Sequence, residues 1–347
     1  MVKVEFDSNL SKSTSISKRK SSQINQVLRI FFRIFVFNMI KHYYFTRLII
    51  LILMGLSFHL ALVAQKDGEL DWWTDRHNWD GHTAWFNMMT TSAAYFGPNA
   101  LPVPIVKDGL VEQEYSFEFR PEAHISPGDK TYDLYTSFIA PLGGVASFEV
   151  FIVPIEYYKL DTNTRNERLA RNYNAEGHAG GDFWFGTNIQ IVKNKKFPDL
   201  VFSAYFKTAS GTNLSDARYT DAPAYYFLLT SGKTVDIDKS KNISLRLSAH
   251  IGVYIWQTWI EEHSQDDAVA YGISARLQND KYFCKLSFSG YSGYLDNGDR
   301  PNVFRAKVGT YNKPLNFVLN YQYGITDFEY QSFGISLIYR FGKINKQ

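Results

Sequence analysis

Residues 330–341, YQSFGISLIYRF, alternate without a break: Phe333, Ile335, Leu337, Tyr339 and Phe341 are interleaved with Gly334, Ser336, Ile338 and Arg340. Successive side chains of a strand point to opposite faces, so one face is apolar and largely aromatic while the other is small or charged. Such a strand needs two different solvents, one on each side. The same two-residue period returns at residues 114–122, 132–140, 145–157, 183–192, 200–208, 225–236, 243–255, 269–278, 282–289, 304–310 and 316–323. Each segment is near the length that a tilted strand needs to cross a bilayer. In hydrocarbon every backbone donor and acceptor must be paired, and only a helix or a closed sheet pairs them all. The sequence therefore predicts an all-β fold, a transmembrane antiparallel β-barrel of about twelve strands over residues 113–342, with an irregular or partly helical N-terminal segment.

The connections support closure independently. After the second strand, short ones at 141–144, 193–199, 238–242, 279–281 and 312–314 alternate with longer ones at 159–182, 209–224, 256–268 and 290–301. Outer-membrane barrels sort their connections in this way, with tight periplasmic turns and long external loops. An even strand count is expected to bring both ends of the barrel to the periplasmic side. Tyr132, Tyr157, Tyr282 and Tyr323 lie at strand ends, where aromatic girdles flank the apolar band.

Residues 1–64 read as a targeting region. Lys41 and Arg47 precede the apolar run 48–63 and the small residue Ala64, the order of a secretory signal peptide, and Met39 stands where such a peptide would start. Nine Lys/Arg and two Asp/Glu belong to this region, so the formal charge falls from +3 for the chain to −4 for the remainder. The basic balance is a property of the leader, and no nucleic-acid partner is expected. The single cysteine, Cys284, excludes an intramolecular disulfide framework and falls on the apolar face of its strand. Residues 343–347 form a short tail.

The inward face of the strands carries charge. Alternation puts Glu114, Glu118, Arg120, Glu122, Asp133 and Glu149 inside the first three strands. Lys207, Arg246, His250, Arg276, Lys285, Arg305, Lys307 and Arg340 line the later ones. A mainly acidic arc thus faces a mainly basic one. Across water these walls would produce a transverse field that orients polar solutes; across a narrow lumen they would pair and plug it. Closure is expected to set Arg340 beside Glu114 and Glu118.

Residues 65–112 lack the two-residue period. They carry Trp72, Trp73, Trp79 and Trp85 among acids and histidines, followed by the proline-rich FGPNALPVP. Such a segment is expected to enter the barrel mouth as a plug or to lie on the membrane surface as an interfacial anchor. Asp75, His77 and His82 offer carboxylate and imidazole, but capping and tryptophan packing account for them as well, and no metal or cofactor is expected. In the external loops, Ser210 or Ser215 with His178 is the pairing that a lipid-modifying enzyme would use. The spacing fits no hydrolase motif, and no catalytic residue is assigned.

Residues 180–192, GGDFWFGTNIQIV, and 197–211, FPDLVFSAYFKTASG, place Gly181 and Asp182 at the start of one strand and end the next in a Lys-Thr-x-x-Gly turn from Lys207 to Gly211. In these features the central third of the chain resembles the outer-membrane proteins grouped as the MetA-pathway-of-phenol-degradation family. The resemblance implies a porin-like or transporter barrel for small organic compounds. The expected function is passive passage of small solutes across a bacterial outer membrane, with outer-membrane lipid and the barrel assembly machinery as further partners. A plugged structural or adhesion barrel is the alternative, and a lipid-modifying enzyme a more distant one.

Overall fold

The computed structural model describes residues 70–194 and 196–343. The leader assigned to 1–64, with its start at Met39 and its cut after Ala64, lies outside the described residues. So do residues 344–347 of the tail.

Among the described residues thirteen strands form one antiparallel sheet: β1 (Glu114–Ser126), β2 (Asp129–Leu142), β3 (Ala146–Leu160), β4 (Glu176–Ala179), β5 (Trp184–Val192), β6 (Asp199–Lys207), β7 (Ala224–Asp238), β8 (Ile243–Gln257), β9 (Gln265–Gln278), β10 (Tyr282–Ser292), β11 (Asn302–Thr310), β12 (Leu315–Thr326) and β13 (Gln331–Lys343). Strand β4 is a short flap on the end of β3, so twelve long strands make the wall. The wall closes because β1 pairs with β13 on one side and β2 on the other, with Phe119 opposite Leu337 and Thr136. No edge of the wall is left to face lipid, as spanning requires.

One end of the barrel carries the short turns 143–145, 193–198, 239–242, 279–281 and 311–314, together with the start of β1 and the end of β13. The other carries the long loops, above all 161–183 and 208–223. Two connections at this loop end are nonetheless tight, 127–128 and 327–330. Loop 161–183 holds helix α2 (Thr162–Glu167), whose N-terminus is capped by Asp161 accepting from Thr164 N at 2.8 Å.

The outer face has no core to pack on. Ile251, Ile273, Leu319 and Ile335 are each more than half exposed. A contiguous apolar surface of this kind is untenable in water and is satisfied by lipid. Tyr132, Tyr157, Tyr282 and Tyr323 are exposed near strand ends, and Cys284 is exposed as well. No helix among the described residues is long and apolar enough to cross a membrane. The strands do the crossing.

Apolar packing lies inside instead. Trp184, Tyr205, Tyr226, Tyr254, Trp256 and Tyr291 form a continuous buried cluster with Leu101 and Val103 of the N-terminal segment. Tyr205 and Tyr226 stack with centroids 4.8 Å apart, and Tyr254 meets Tyr291 edge-on at 5.0 Å.

Candidate functional site

The lumen is occupied by the chain's own N-terminal segment. Helix α1 (Asp71–His77) sits at the loop end, where Trp73 Nε1 donates to Leu169 O at 3.0 Å and Trp72 meets the Tyr173 ring edge-on. Arg165 lies over Trp72 and Arg171 over both Trp73 and Trp85. The tryptophans therefore clasp the external loops at the mouth. The segment then descends: Trp256 Nε1 donates to Thr91 O at 2.9 Å, Tyr291 Oη to Leu101 O at 3.1 Å, Arg305 Nη2 to Val103 O at 2.8 Å, and Gln190 Nε2 to Gly109 O at 3.2 Å near the turn end. Both ends of the barrel wall lie at the turn end, but residues 70–92 lie at the opposite one.

Its sequence explains why this ribbon does not become a strand. Pro98, Pro102 and Pro104 lack N–H groups and cannot complete a ladder. The carbonyls remain as acceptors. Basic and hydroxyl side chains of the wall donate to them, so the expected basic arc is in large part an arc of donors to the plug.

Each charge assigned to the lumen can now be placed. Asp108 receives Lys285 Nζ at 2.5 Å and Arg276 Nη1 at 2.7 Å. Lys285 also donates to Val106 O at 2.6 Å, and Arg246 Nε to Asp108 O at 2.6 Å while its Nη2 pairs with Asp199 at 2.8 Å. On the acidic side Glu149 pairs with Lys107 of the plug and accepts from Tyr205 Oη at 2.5 Å. Asp133 accepts from Asn99 Nδ2 at 2.5 Å and lies 3.0 Å from His124 Nε2. The two walls meet through the plug between them.

The remaining charges are local. Arg120 bridges Glu118 at 3.1 Å and Glu122 at 2.9 Å over the Tyr135 ring, and Lys207 is buried against Asp182 at 2.7 Å. His250 is buried and joins no ion pair among the described residues. Glu114 is half-buried opposite Lys343 at the turn end. The register sets Arg340 opposite Ser116 and so between Glu114 and Glu118, as expected, but among the described residues it forms no ion pair with either, and its guanidinium lies over the Tyr311 ring. The seam contact is instead Ser336 Oγ donating to Glu118 at 2.5 Å.

Asp75, His77 and His82 do not converge on a site. His77 packs on Trp73, and burial, with Arg76 and Arg165 nearby, holds its imidazole below its usual pKa. His82 N and Thr83 N both donate to Asp80, which with the Thr83 hydroxyl forms a tight turn. The Thr83 hydroxyl and these two amides hold the Asp80 carboxyl at about 2. In the external loops the His178 ring rests on Tyr157, and Ser210 Oγ shares hydrogen bonds with Thr208 and Phe183 N. Among the described residues no hydrogen bond joins His178 to Ser210 or Ser215.

A buried polar cluster went unread in the sequence. Arg218, wholly buried, donates to Asp129 and Glu156 at 2.8 Å each and to Thr131 Oγ1 at 2.8 Å. Tyr219 donates to Glu156 at 3.0 Å and Tyr330 to Asp129 at 2.5 Å. The inward aromatics were missed too, although parity marks them: Tyr205 is two residues from Lys207 and Tyr254 four from His250.

Beside the plug a cavity of about 150 Å³ remains open. Pro104, Ile105 and Lys107 bound it on the plug side, with Phe151, Tyr205 and Lys307 among its wall residues. Ile105, an apolar side chain in the middle of the lumen, is 40% exposed.

A closed wall of twelve strands, an apolar outer face, tight turns at one end and long loops at the other are together the architecture of an outer-membrane barrel. The chain is an outer-membrane β-barrel. Its place is the bacterial outer membrane. Solved structures similar to the chain include an outer membrane channel from Pseudomonas putida F1, with 8% identity over 70% of this chain and 97% of that one and a TM-score of 0.47. LpxR from Salmonella typhimurium has 7% identity over 65% of this chain and 100% of that one, with a TM-score of 0.43. KdgM porin has 10% identity over 65% and 99%, with a TM-score of 0.38. No protein-family model and no curated relative matches the sequence.

Proposed function

We propose that this barrel is a channel for passive passage of small solutes across the outer membrane, with its own N-terminal segment setting the bore. The observation that carries the reading is the cavity beside the plug, bounded by charged side chains and deep enough to leave Ile105 exposed. A segment designed only to fill the lumen would bury that side chain. Glu118, Glu149, Arg246, Arg276, Arg305 and Arg340 act in this reading through their field and through their hold on the plug, not through chemistry. The resemblance to the MetA-pathway-of-phenol-degradation family agrees with a porin-like role for small organic compounds. The leader at 1–64 would export the chain, and the aromatic strand ending at Phe341 would present it to the barrel assembly machinery.

The second reading is a closed structural barrel, favoured by the number of side chains that bind the plug. Conductance in a planar lipid bilayer separates the two. A channel gives steps in the native chain, and Arg340→Glu shifts its reversal potential toward cation selectivity. No steps in the native chain, together with steps once Asp108 is replaced, would establish the closed reading. An unchanged reversal potential would remove Arg340 from the path.

A further inference from the structure

The cavity beside the plug is sized and charged for one kind of guest. Its volume of about 150 Å³ matches the size of apolar cavity that takes up a single benzene ring, about 150 Å³. One side is aromatic: Phe151 stacks on Trp184 at 5.5 Å and lies 6.3 Å from Tyr205. These rings line the cavity together with Tyr226.

The other side is cationic in excess: Arg120, Arg305 and Lys307 face two carboxylates, Glu118 and Glu122. Arg305 and Lys307 are two apart on β11 and both line the cavity. The Arg305 guanidinium is fixed by Gln322, Ser289 and Val103 O, all neutral, and forms no ion pair among the described residues. Lys307 has no hydrogen bond or ion pair among the described residues. Glu118, which acts on it electrostatically, already accepts from Arg120 and Ser336. The other charges of the lining are matched: Lys107 by Glu149, Arg120 by Glu122, and Asp182 by Lys207. A cation held in a site partly shielded from water, with no acceptor, favours an anion that supplies one.

The geometry points to a binding site in the lumen for a monocyclic aromatic carboxylate, its ring against the partly exposed face of Phe151, which Trp184 and Tyr205 back, and its carboxylate on Lys307, with the Arg305 charge alongside. The ring and the carboxylate are both required. A neutral ring leaves Lys307 without a partner, and a small anion leaves the open face of Phe151 uncovered. The site deepens the channel reading and rests on it only for its purpose, since binding can be measured without passage.

The test is calorimetric titration of the full chain in detergent with benzoate, benzamide and acetate, on the native protein, Lys307→Met and Lys307→Arg. Benzoate is expected to bind about ten-fold or more tightly than either benzamide or acetate. Lys307→Met should remove that preference, and Lys307→Arg should keep it. Equal binding of benzamide overturns the role of the charge, and equal binding of acetate overturns the role of the rings. Undiminished benzoate binding by Lys307→Met, folded as judged by heat-modifiable migration, overturns the site. Benzoate flux into liposomes is scored separately: binding without flux sinks the channel reading alone, and flux without binding sinks this site alone.

Discussion

Gly109 and Gly232 meet backbone to backbone, so closely that a Cβ on Gly109 would stand 2.8 Å from Gly232 N and one on Gly232 would stand 2.3 Å from Asp108 O. Gly109 also has φ +69, a conformation that favours glycine. The plug touches the inner wall here without any side chain between them. Gly232→Val places its branched side chain where the Asp108 carbonyl lies, and β7 has no slack to yield because it is paired on both sides. The plug is expected to be displaced while the wall stays closed. Single-channel conductance in a planar bilayer should rise several-fold over the native chain, with heat-modifiable migration in SDS unchanged. Native conductance in the variant would show that the plug does not set the bore.

Asp108 anchors the same stretch by charge. Its carboxylate joins Lys285 and Arg276, and the side chains of all three are largely shielded from water. Asp108→Ala leaves two cations facing each other with no counter-charge. Loss of charged hydrogen bonds of this kind costs about 2 kcal/mol, roughly thirty-fold in the population of displaced plug at 1.36 kcal/mol per decade. More frequent or longer open events are expected, together with stronger anion preference because Lys285 and Arg276 then face the lumen. The reversal potential under a salt gradient reads the second effect.

Arg218 concerns stability and not passage. It is buried between Asp129 and Glu156 under the loop-end mouth. Breaking a buried ion pair by removing one partner costs about 3–5 kcal/mol, because the remaining charge is stranded. Arg218→Met is expected to lower the thermal midpoint of the folded barrel in detergent, followed by circular dichroism. Adding Glu156→Gln to that variant should recover part of the loss, since one stranded charge is then gone. A double variant no more stable than the single one would mean that Arg218 acts by packing over Tyr158.

The wall of this barrel was legible because every strand faces two unlike media. Ile335 must meet lipid and Ser336 the lumen, and that demand writes itself into the chain as a period of two. The plug has no such signature. Residues 98–109 face other protein on all sides except at the cavity, and their partners, from Gln190 to Arg305, are brought together only when β1 meets β13. The charges on the inner face were readable as inward, with pairing across the lumen as one of two alternatives, but not as paired through Lys107 and Asp108 of the plug. Strand order places Arg340 at the acidic seam, where the register has it opposite Ser116, but not the contact that its guanidinium makes over Tyr311 in the adjacent turn. The tryptophans drew attention to the segment but lie above the part that fills the bore.

The path of the N-terminal segment can be tested in living cells. Its first turns hold to loop 161–183, while β1 starts at the opposite end, so the chain crosses the barrel once before the wall begins. Asp80 is exposed at the loop end and Ser240 at the turn end between β7 and β8. In a Cys284→Ala background, which removes the native thiol, Asp80→Cys is expected to react with a membrane-impermeant maleimide on intact cells. Ser240→Cys should react only after the outer membrane is permeabilised. The reverse pattern would place the long loops in the periplasm and invert the barrel. Protection of both residues on intact cells would instead keep the wall as described and move the first turns away from the external mouth. Labelling of Asp80→Cys that is lost when Trp73 is replaced by Ala would indicate that the hold on Leu169 keeps the segment at the surface.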